Sequence, residues 1–343
     1  MGERAGKPSA SDGLKTRLCP GAHQLCLTVP RIGGNKVSQA GDRIHDGLER
    51  NDFSGLKGEE LAMAIRCREQ LNMLLGLVFS DENELKVYKE ERMWYRNDRF
   101  SGKPDVVFVN NNTALIADYK TGRIPVKDAA TNDQLQWLAV LAQHTYKVNT
   151  IIVSIIQPHC GEPSFHRFTP EQMIKVRRRV LRVLRNMEKP NATLRPGEKQ
   201  CKYCRAKPIC PALKASMTAL MTTQPEKLTP IKAGQILDQA QAVKELIKAV
   251  EERAEAMLTE QPDAIPGWTM SPGSVRKGLP ATAAVFKRLV DAGWPIENIM
   301  DAATFSLSKL RQEAKKDGCE ISGLLEDLIV ENRTKNKLKK TGG

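Results

Sequence analysis

Asp105, Asp118 and Lys120 lie in one short stretch, GKPDVVFVNNNTALIADYKTG over residues 102–122, where two apolar runs flank the turn-forming Asn110 to Thr113. Folded as a hairpin with Asn110 to Thr113 as its loop, the stretch pairs Val109 with Ala114 and sets Asp105 opposite Asp118. Directly opposed strand residues have Cβ atoms about 5 Å apart, so two carboxylates there repel unless a cation joins them. Alternation puts Lys120 on the face of Asp118, while the Tyr119 side chain turns away and leaves its backbone carbonyl between the two. Two carboxylates, a carbonyl oxygen and an ammonium on one surface suit Mg²⁺ or Mn²⁺. The oxygens would hold a hard cation that polarises a phosphate and acidifies a bound water, and the lysine would orient that water and offset developing charge. That chemistry is phosphodiester hydrolysis. Asp-x-Lys alone is commonly a surface ion pair beside a turn; Pro104-Asp105 and the hairpin are what favour the catalytic reading.

A second group with chemical potential is CKYCRAKPIC, residues 201–210, where Cys201, Cys204 and Cys210 stand in the spacing C-x2-C-x5-C. A tetrahedral thiolate site for zinc or an iron–sulfur cluster takes four ligands, so the stretch is one short. A distant cysteine or a histidine would have to close it, or there is no site. A redox C-x-x-C fits poorly, because Lys202, Arg205, Lys207 and the nearby prolines do not form a strand-to-helix junction. Cys26, Cys67, Cys160 and Cys319 read as structural or incidental.

The elements that must position these groups follow from periodicity. Residues 37–50, VSQAGDRIHDGLER, repeat Val37, Ala40, Ile44 and Leu48 at helical spacing, which places His45 on a helix. A second helix is expected over 58–79, strands over 86–95, 105–110 and 114–120, a helix over 132–146, a strand over 150–157 and a basic helix over 170–188. The order implies an α/β (α+β) fold, a mixed sheet flanked by helices with a C-terminal helical extension. The expected organisation is a flexible arm at 1–18 and a main domain at 19–215. A long helical segment follows at 216–262, with one amphipathic helix over 229–260, then a small helical unit at 263–330 and a lysine-rich tail at 331–343.

The chain of 343 residues carries a net charge of +13, from 53 Lys+Arg against 40 Asp+Glu, which suits a polyanionic partner. No apolar run approaches the roughly 20 residues needed to span a bilayer, and MGERAGKPSASD lacks the apolar core of a signal peptide. The expectation is a cytoplasmic protein, not a membrane protein, whose thiols are reduced, which favours metal binding over disulfides.

These residues resemble the PD-(D/E)XK nuclease superfamily, in the RecB-like branch that includes the iron–sulfur exonucleases associated with CRISPR loci. Pro104-Asp105 and Asp118-Tyr119-Lys120 match its central motif. The branch has an upstream helical G-x-x-x-H whose histidine is a metal ligand, matched by Gly41 to His45. Gly41 lies one turn before His45 and would clear space above the ring, a reason for a mid-helix glycine that otherwise costs about 1 kcal/mol. The branch also has Q-L-x-x-Y on the next helix, matched by Gln134 to Leu138 except for the tyrosine, although Thr131-x-x-Gln134 reads equally as a capping box. In those nucleases C-x2-C-x5-C is the end of an iron–sulfur site closed by one cysteine far upstream, and Cys19-Pro20-Gly21 stands where that cysteine belongs. The resemblance covers Cys19 to about Leu213. The later Pro266-Gly267-Trp268 and the helical unit after it are similar to the tail of an uncharacterised group of phage and prophage nucleases.

The resemblance implies a restriction-endonuclease-like fold and a Mg²⁺- or Mn²⁺-dependent DNA exonuclease. Its catalytic residues would be Asp105, Asp118, Lys120 and Gln134, and its metal ligands His45, Asp105, Asp118 and the Tyr119 carbonyl. It also implies a 4Fe-4S cluster on Cys19, Cys201, Cys204 and Cys210, with zinc as the alternative and Cys26 or His23 as rivals for the place of Cys19. The substrate would be single-stranded DNA ends, in phage recombination, repair or DNA degradation. Two other readings stay open: a catalytically silent, zinc-containing nucleic-acid-binding protein, and a CRISPR-adaptation-like processing subunit serving a recombination or integrase partner. Retention of both opposed acids and the lysine tells against the silent protein.

Overall fold

In a computed structural model of the protein, residues 6–30, 36–79 and 84–270 are described, with a few positions between 286 and 296. The hairpin is the centre of the sheet. Strand β4 (Val106–Asn110) runs antiparallel to β5 (Thr113–Tyr119), with Val109 opposite Ala114 and Asn110 opposite Thr113. The expected register holds, but the four-residue loop shortens to Asn111-Asn112. Asn111 adopts a left-handed φ of 49°, which asparagine tolerates better than most residues and which lets the ladder close earlier.

Both faces of these strands are buried, so the runs read as continuously apolar. Val107, Val109, Ala114 and Ile116 pack under α5 (Asp133–Tyr146) and α6 (Pro170–Met187), while Val106, Phe108, Leu115 and Ala117 pack under α3 (Lys36–Arg50) and α4 (Gly58–Val78). The five-stranded sheet has the order β1 (Lys86–Lys89), β4, β5, β6 (Thr150–Ile156) and β7 (Ser164–Phe168). β6 lies parallel to β5 and β7 antiparallel to β6. The parallel pair needs a crossover, and α5 supplies it. The fold is therefore a mixed α/β sheet with helices on both faces and a C-terminal helical region, α8 (Pro211–Met221) and α9 (Pro230–Glu260). Among the described residues no helix is long and apolar enough to cross a membrane.

Three expectations change. The single strand over 86–95 is two: β1 ends at Lys89, Glu90 turns the chain at a φ of 50°, and β2 (Met93–Tyr95) pairs with β3 (Phe100–Gly102) in a separate ribbon. The arm at 1–18 is not flexible from Pro8 onward. Ser101 donates its N–H to the Pro8 carbonyl, Ser9, Ala10 and Thr16 are buried, and Arg17 on α1 (Gly13–Leu18) makes a two-pronged pair with buried Asp133. Short polar residues gave no periodic signal there, yet the buried carboxylate draws the arginine in. The long helix is not set apart, since α9 packs on α7 (Glu198–Cys201) and α8, and the first compact unit ends only at Met270. The small helical unit over 280–330, Cys319 and the basic tail lie outside the described residues.

Past Cys19 the chain turns at Gly21 into α2 (Ala22–Leu27) and runs against residues 192–195. Gly21 donates to the Thr193 carbonyl at 3.0 Å, and a Cβ there would sit 2.4 Å from the Ala192 carbonyl oxygen. Gly21→Ala is expected to destabilise the protein by about 1–3 kcal/mol in urea denaturation, because backbone must move to admit the methyl. Gly76→Ala, at an exposed position of α4 with no atom within 4 Å of the added carbon, is expected to stabilise by up to about 1 kcal/mol.

Candidate active site

The site forms where the β5 end, the start of β4, α3 and α5 converge. Burial of Ile44 and Leu48 against the sheet orients α3 so that His45 faces the strand ends. His45 Nδ1 lies 3.1 Å from Asp105 Oδ1, and Asp105 Oδ2 accepts the Tyr119 N–H at 2.6 Å. Lys120, just beyond β5, pairs with Asp118 and donates its own N–H to Ile156 at 2.9 Å, prolonging the parallel ladder. Gln134 on the first turn of α5 donates Nε2 to Asp118 Oδ1 at 2.7 Å, and its Oε1 lies 3.5 Å from Lys120 Nζ.

All six sequence-selected positions therefore meet at one end of the sheet, but not as one flat surface. Asp105 sits in a bend one residue before β4, so its carboxylate swings toward α3 while Asp118 points toward α5. The site is two adjoining groups, Asp118–Lys120–Gln134 and His45–Asp105, bridged by the Tyr119 backbone. The capping reading of Gln134 gives way: Asn132 caps α5 by accepting the Leu135 N–H, and Thr131 donates instead to the Asp128 carbonyl. Gly41 clears space not for the His45 ring but for Thr121, whose hydroxyl would lie 3.1 Å from a Cβ at position 41. The His45 ring meets Tyr119 edge-on at 6.1 Å.

Sequence reasoning missed Glu90. Among the described residues, His45, Glu90 and Asp105 form the one group of three His, Cys, Asp or Glu side chains whose ligand atoms all lie within 4.8 Å of one another. Glu90 also pairs with Lys103 and donates its backbone N–H to the Asp105 carbonyl at 3.1 Å. Inside KVYKEERMWY it looks like one more strand residue; only the left-handed break at Glu90 brings it to the site. One imidazole and two carboxylates suit a divalent metal.

Electrostatics bind these groups to one another. Burial pushes the Asp118 carboxyl up, with Lys120 opposing. Burial alone would lower Lys120, but Asp118 outweighs it and holds the ammonium above its usual value. Burial likewise works against the His45 imidazolium, and the hydrogen bond and charge of Asp105 overcome it, so His45 ends raised and Asp105 lowered. A cation between Asp105 and Asp118 would compete with the His45 proton and with Lys120 for the same oxygens.

The cysteines meet elsewhere. Burial pushes the Cys19 and Cys201 thiols up, and each feels Cys210; Cys19 also feels Cys26. Cys26 Sγ lies 3.7 Å from Cys204 Sγ, a contact that draws Cys26 down to about 6 and raises Cys204. The neighbourhood thus contains five cysteines, Cys26 included, and not four. Thiolates around one zinc at about 2.3 Å would lie only about 3.8 Å apart. No three cysteines among the described residues cluster within 4.8 Å. A multi-atom cluster spreads its ligands more widely, and Cys19 also accepts the Arg195 N–H at 3.2 Å and Cys201 the Gly197 N–H at 3.4 Å.

The profile of a family described as "Protein of unknown function (DUF2800)" matches residues 78–341. Two solved structures are similar in part. One, titled "Crystal structure of SSO0001", has a TM-score of 0.24 and 14% identity over 61% of this chain and 87% of that one. The other, an alkaline exonuclease (LHK-Exo) from Laribacter hongkongensis, has a TM-score of 0.27 and 11% identity over 54% of this chain and 89% of that one. At these TM-scores neither likeness bears on the chemistry of the site.

Because His45 must lose its proton to bind a metal, Mn²⁺ affinity measured by calorimetry is expected to rise between about pH 6 and about pH 8. In the metal-free protein the sign reverses. The raised His45 pKa contributes stability that is lost as pH rises through it, and the lowered Asp105 pKa contributes stability lost as pH falls through it. Glu90→Gln is expected to weaken Mn²⁺ binding several-fold; equal affinity would remove Glu90 from the ligand set.

Proposed function

The chain belongs to the family described as "Protein of unknown function (DUF2800)", and from the chemistry of its site we propose that it is a divalent-metal-dependent deoxyribonuclease of the PD-(D/E)XK type. One observation carries the reading: Asp118, Lys120 and Gln134 are joined by hydrogen bonds at the same end of β5 where His45 and Asp105 meet. Three separate elements, α3, the hairpin and α5, deliver these groups, which a chance surface pair would not require.

His45, Asp105, Asp118 and the Tyr119 carbonyl would hold Mg²⁺ or Mn²⁺, with Glu90 beside them. When bound, the metal supplies a Lewis acid for the phosphate and acidifies the attacking water. The chain's own groups do the rest. Lys120, kept protonated by Asp118, orients the water and offsets charge on the phosphoryl oxygens as the new P–O bond forms and the old one breaks. Gln134 fixes Lys120 and Asp118 relative to one another. Asp105 ties the metal ligands to the Tyr119 backbone, so the carbonyl and both carboxylates keep one geometry. The products are a phosphate monoester and a free hydroxyl.

The substrate reading is exonucleolytic cleavage of single-stranded DNA ends in recombination, repair or degradation. The net charge of +13 and the exposed face of α6, with Lys175, Arg177, Arg178, Arg182 and Arg185, support a polyanionic substrate. We infer further that Cys19, Cys201, Cys204 and Cys210 hold an iron–sulfur cluster that staples the N-terminal turn to the end of the nuclease fold. The cost of closing so long a loop grows only logarithmically with length, and the metal bonds offset it.

With end-labelled single-stranded DNA and Mn²⁺, Asp118→Ala or Lys120→Ala is expected to abolish cleavage while DNA binding persists, because phosphate affinity comes from the wider basic surface. Loss of binding and cleavage together would count against the assignment. Cys19→Ser is expected to cost the purified protein its iron and acid-labile sulfide, whereas Cys67→Ser and Cys160→Ser keep them. Full iron occupancy in Cys19→Ser, or one zinc per chain in anaerobically prepared wild type, would overturn the cluster.

A further inference from the structure

His45 and Lys120 line one side of a cavity of about 1060 Å³ whose other side is built from Lys202 and Tyr203, between the clustered cysteines, and from Lys248 on α9. We propose that this cavity is a channel for a single nucleic-acid strand, walled by α9, in which Tyr203 is the platform on which an unpaired base stacks. The inference rests on the nuclease reading and adds to it the path of the strand and the residue that recognises its bases.

The wall is fastened in place. Lys207 Nζ donates to the Glu245 carbonyl on α9 at 3.1 Å and to the Lys202 carbonyl at 3.0 Å, pinning the helix to the cysteine segment. Ala242 is fully buried against Cys201 and Leu213, with Val243 and Leu246 packed beside it, so α9 is seated on the same segment. Of its 31 residues only Ala242 and Leu258 are buried. The face of α9 around Lys248 and Glu252 is left to line the cavity.

The lining chemistry selects the occupant. The five lysines of the lining, Lys202, Lys207 and Lys248 among them, face six acids, including Asp42, Asp46 and Glu49 on α3 and Glu245 and Glu252 on α9. Attraction for phosphate therefore does not hold a strand here without help. Tyr203 supplies a grip of another kind: it lines the cavity, the residue is 81% exposed, and Lys202 Nζ lies 5.3 Å from its ring centroid. An exposed aromatic ring backed by a cation stacks on the face of a base. A duplex hides those faces within its own stack, so only unpaired bases can use the ring. The other tyrosine lining the cavity, Tyr119, is 5% exposed and offers no face.

The test separates binding from cleavage by using full-length Asp118→Ala protein and fluorescence anisotropy with a labelled oligodeoxynucleotide and an abasic oligonucleotide of the same length. Adding Tyr203→Ala is expected to weaken binding of the normal oligonucleotide about tenfold, and Tyr203→Trp to restore it. The abasic strand is expected to bind Asp118→Ala protein about tenfold more weakly than the normal strand and to be indifferent to Tyr203. Equal binding of the two strands overturns the proposal even if the Tyr203 variants misfold. Tyr203→Ala binding as tightly as the parent also overturns it. If the wild type cleaves nothing but the Tyr203 and abasic effects appear, the channel stands and the nuclease reading falls. If cleavage depends on Asp118 while Tyr203 is silent, the reverse holds.

Discussion

The hydrogen bond from the Tyr119 N–H to the Asp105 carboxylate is the contact on which the site depends. It lies two residues past the last ladder pair of the hairpin, Val106 with Ala117, where the Tyr119 N–H is met by a carboxylate oxygen instead of a strand carbonyl. A side-chain oxygen takes over the role of the strand there. In doing so it locks Asp105 to the backbone between Asp118 and Lys120, and the same carboxylate's other oxygen reaches His45. One acid therefore joins α3 to the central strand and sets the spacing of every other polar group.

That arrangement leaves Asp118 3% exposed, a charge whose burial would be untenable without Lys120 and Gln134. The two groups of the site are stable because each carboxylate has a cationic or amide partner, and they are poised because those partners occupy oxygens that a divalent cation would also use. Packing supplies the rigidity. Both faces of β4 and β5 are covered by helices, so neither acid can move without disturbing the core.

The cysteine segment plays a mechanical part at one remove. It receives the N-terminal turn through Arg205, whose Nε donates to the Cys26 carbonyl at 2.6 Å, and it seats α9 through Cys201 and Leu213. Ends of the fold far apart in the chain are thus gathered on one short, proline-rich stretch with little regular structure of its own. With no ladder or long helix of its own, it is held by Lys207 reaching two backbone carbonyls and by Arg205 reaching a third.

The hairpin register, the helix bearing His45, the β-α-β crossover and the pairing of Asp118 with Lys120 were legible in the amino-acid sequence. Each depends on local periodicity and turn chemistry, which act over a few residues. The N-terminal arm was misread because its order comes from Asp133, a partner more than a hundred residues away, and Ser, Lys and Thr carry no periodic signal of their own. The capping and catalytic readings of Gln134 could not be separated from spacing alone. Both fit the first turn of a helix, and only the position of Asp118 relative to α5 shows that the Gln134 side chain reaches the carboxylate and leaves the cap to Asn132. Glu90 was hidden for the same kind of reason: a single left-handed residue redirects the chain, and glutamate has no sequence preference that announces it. Residue types and spacing determined which chemistry was available. Tertiary structure decided which oxygens share a site, which cysteines are neighbours and which helix walls the cavity, because those depend on contacts between segments that no local pattern encodes.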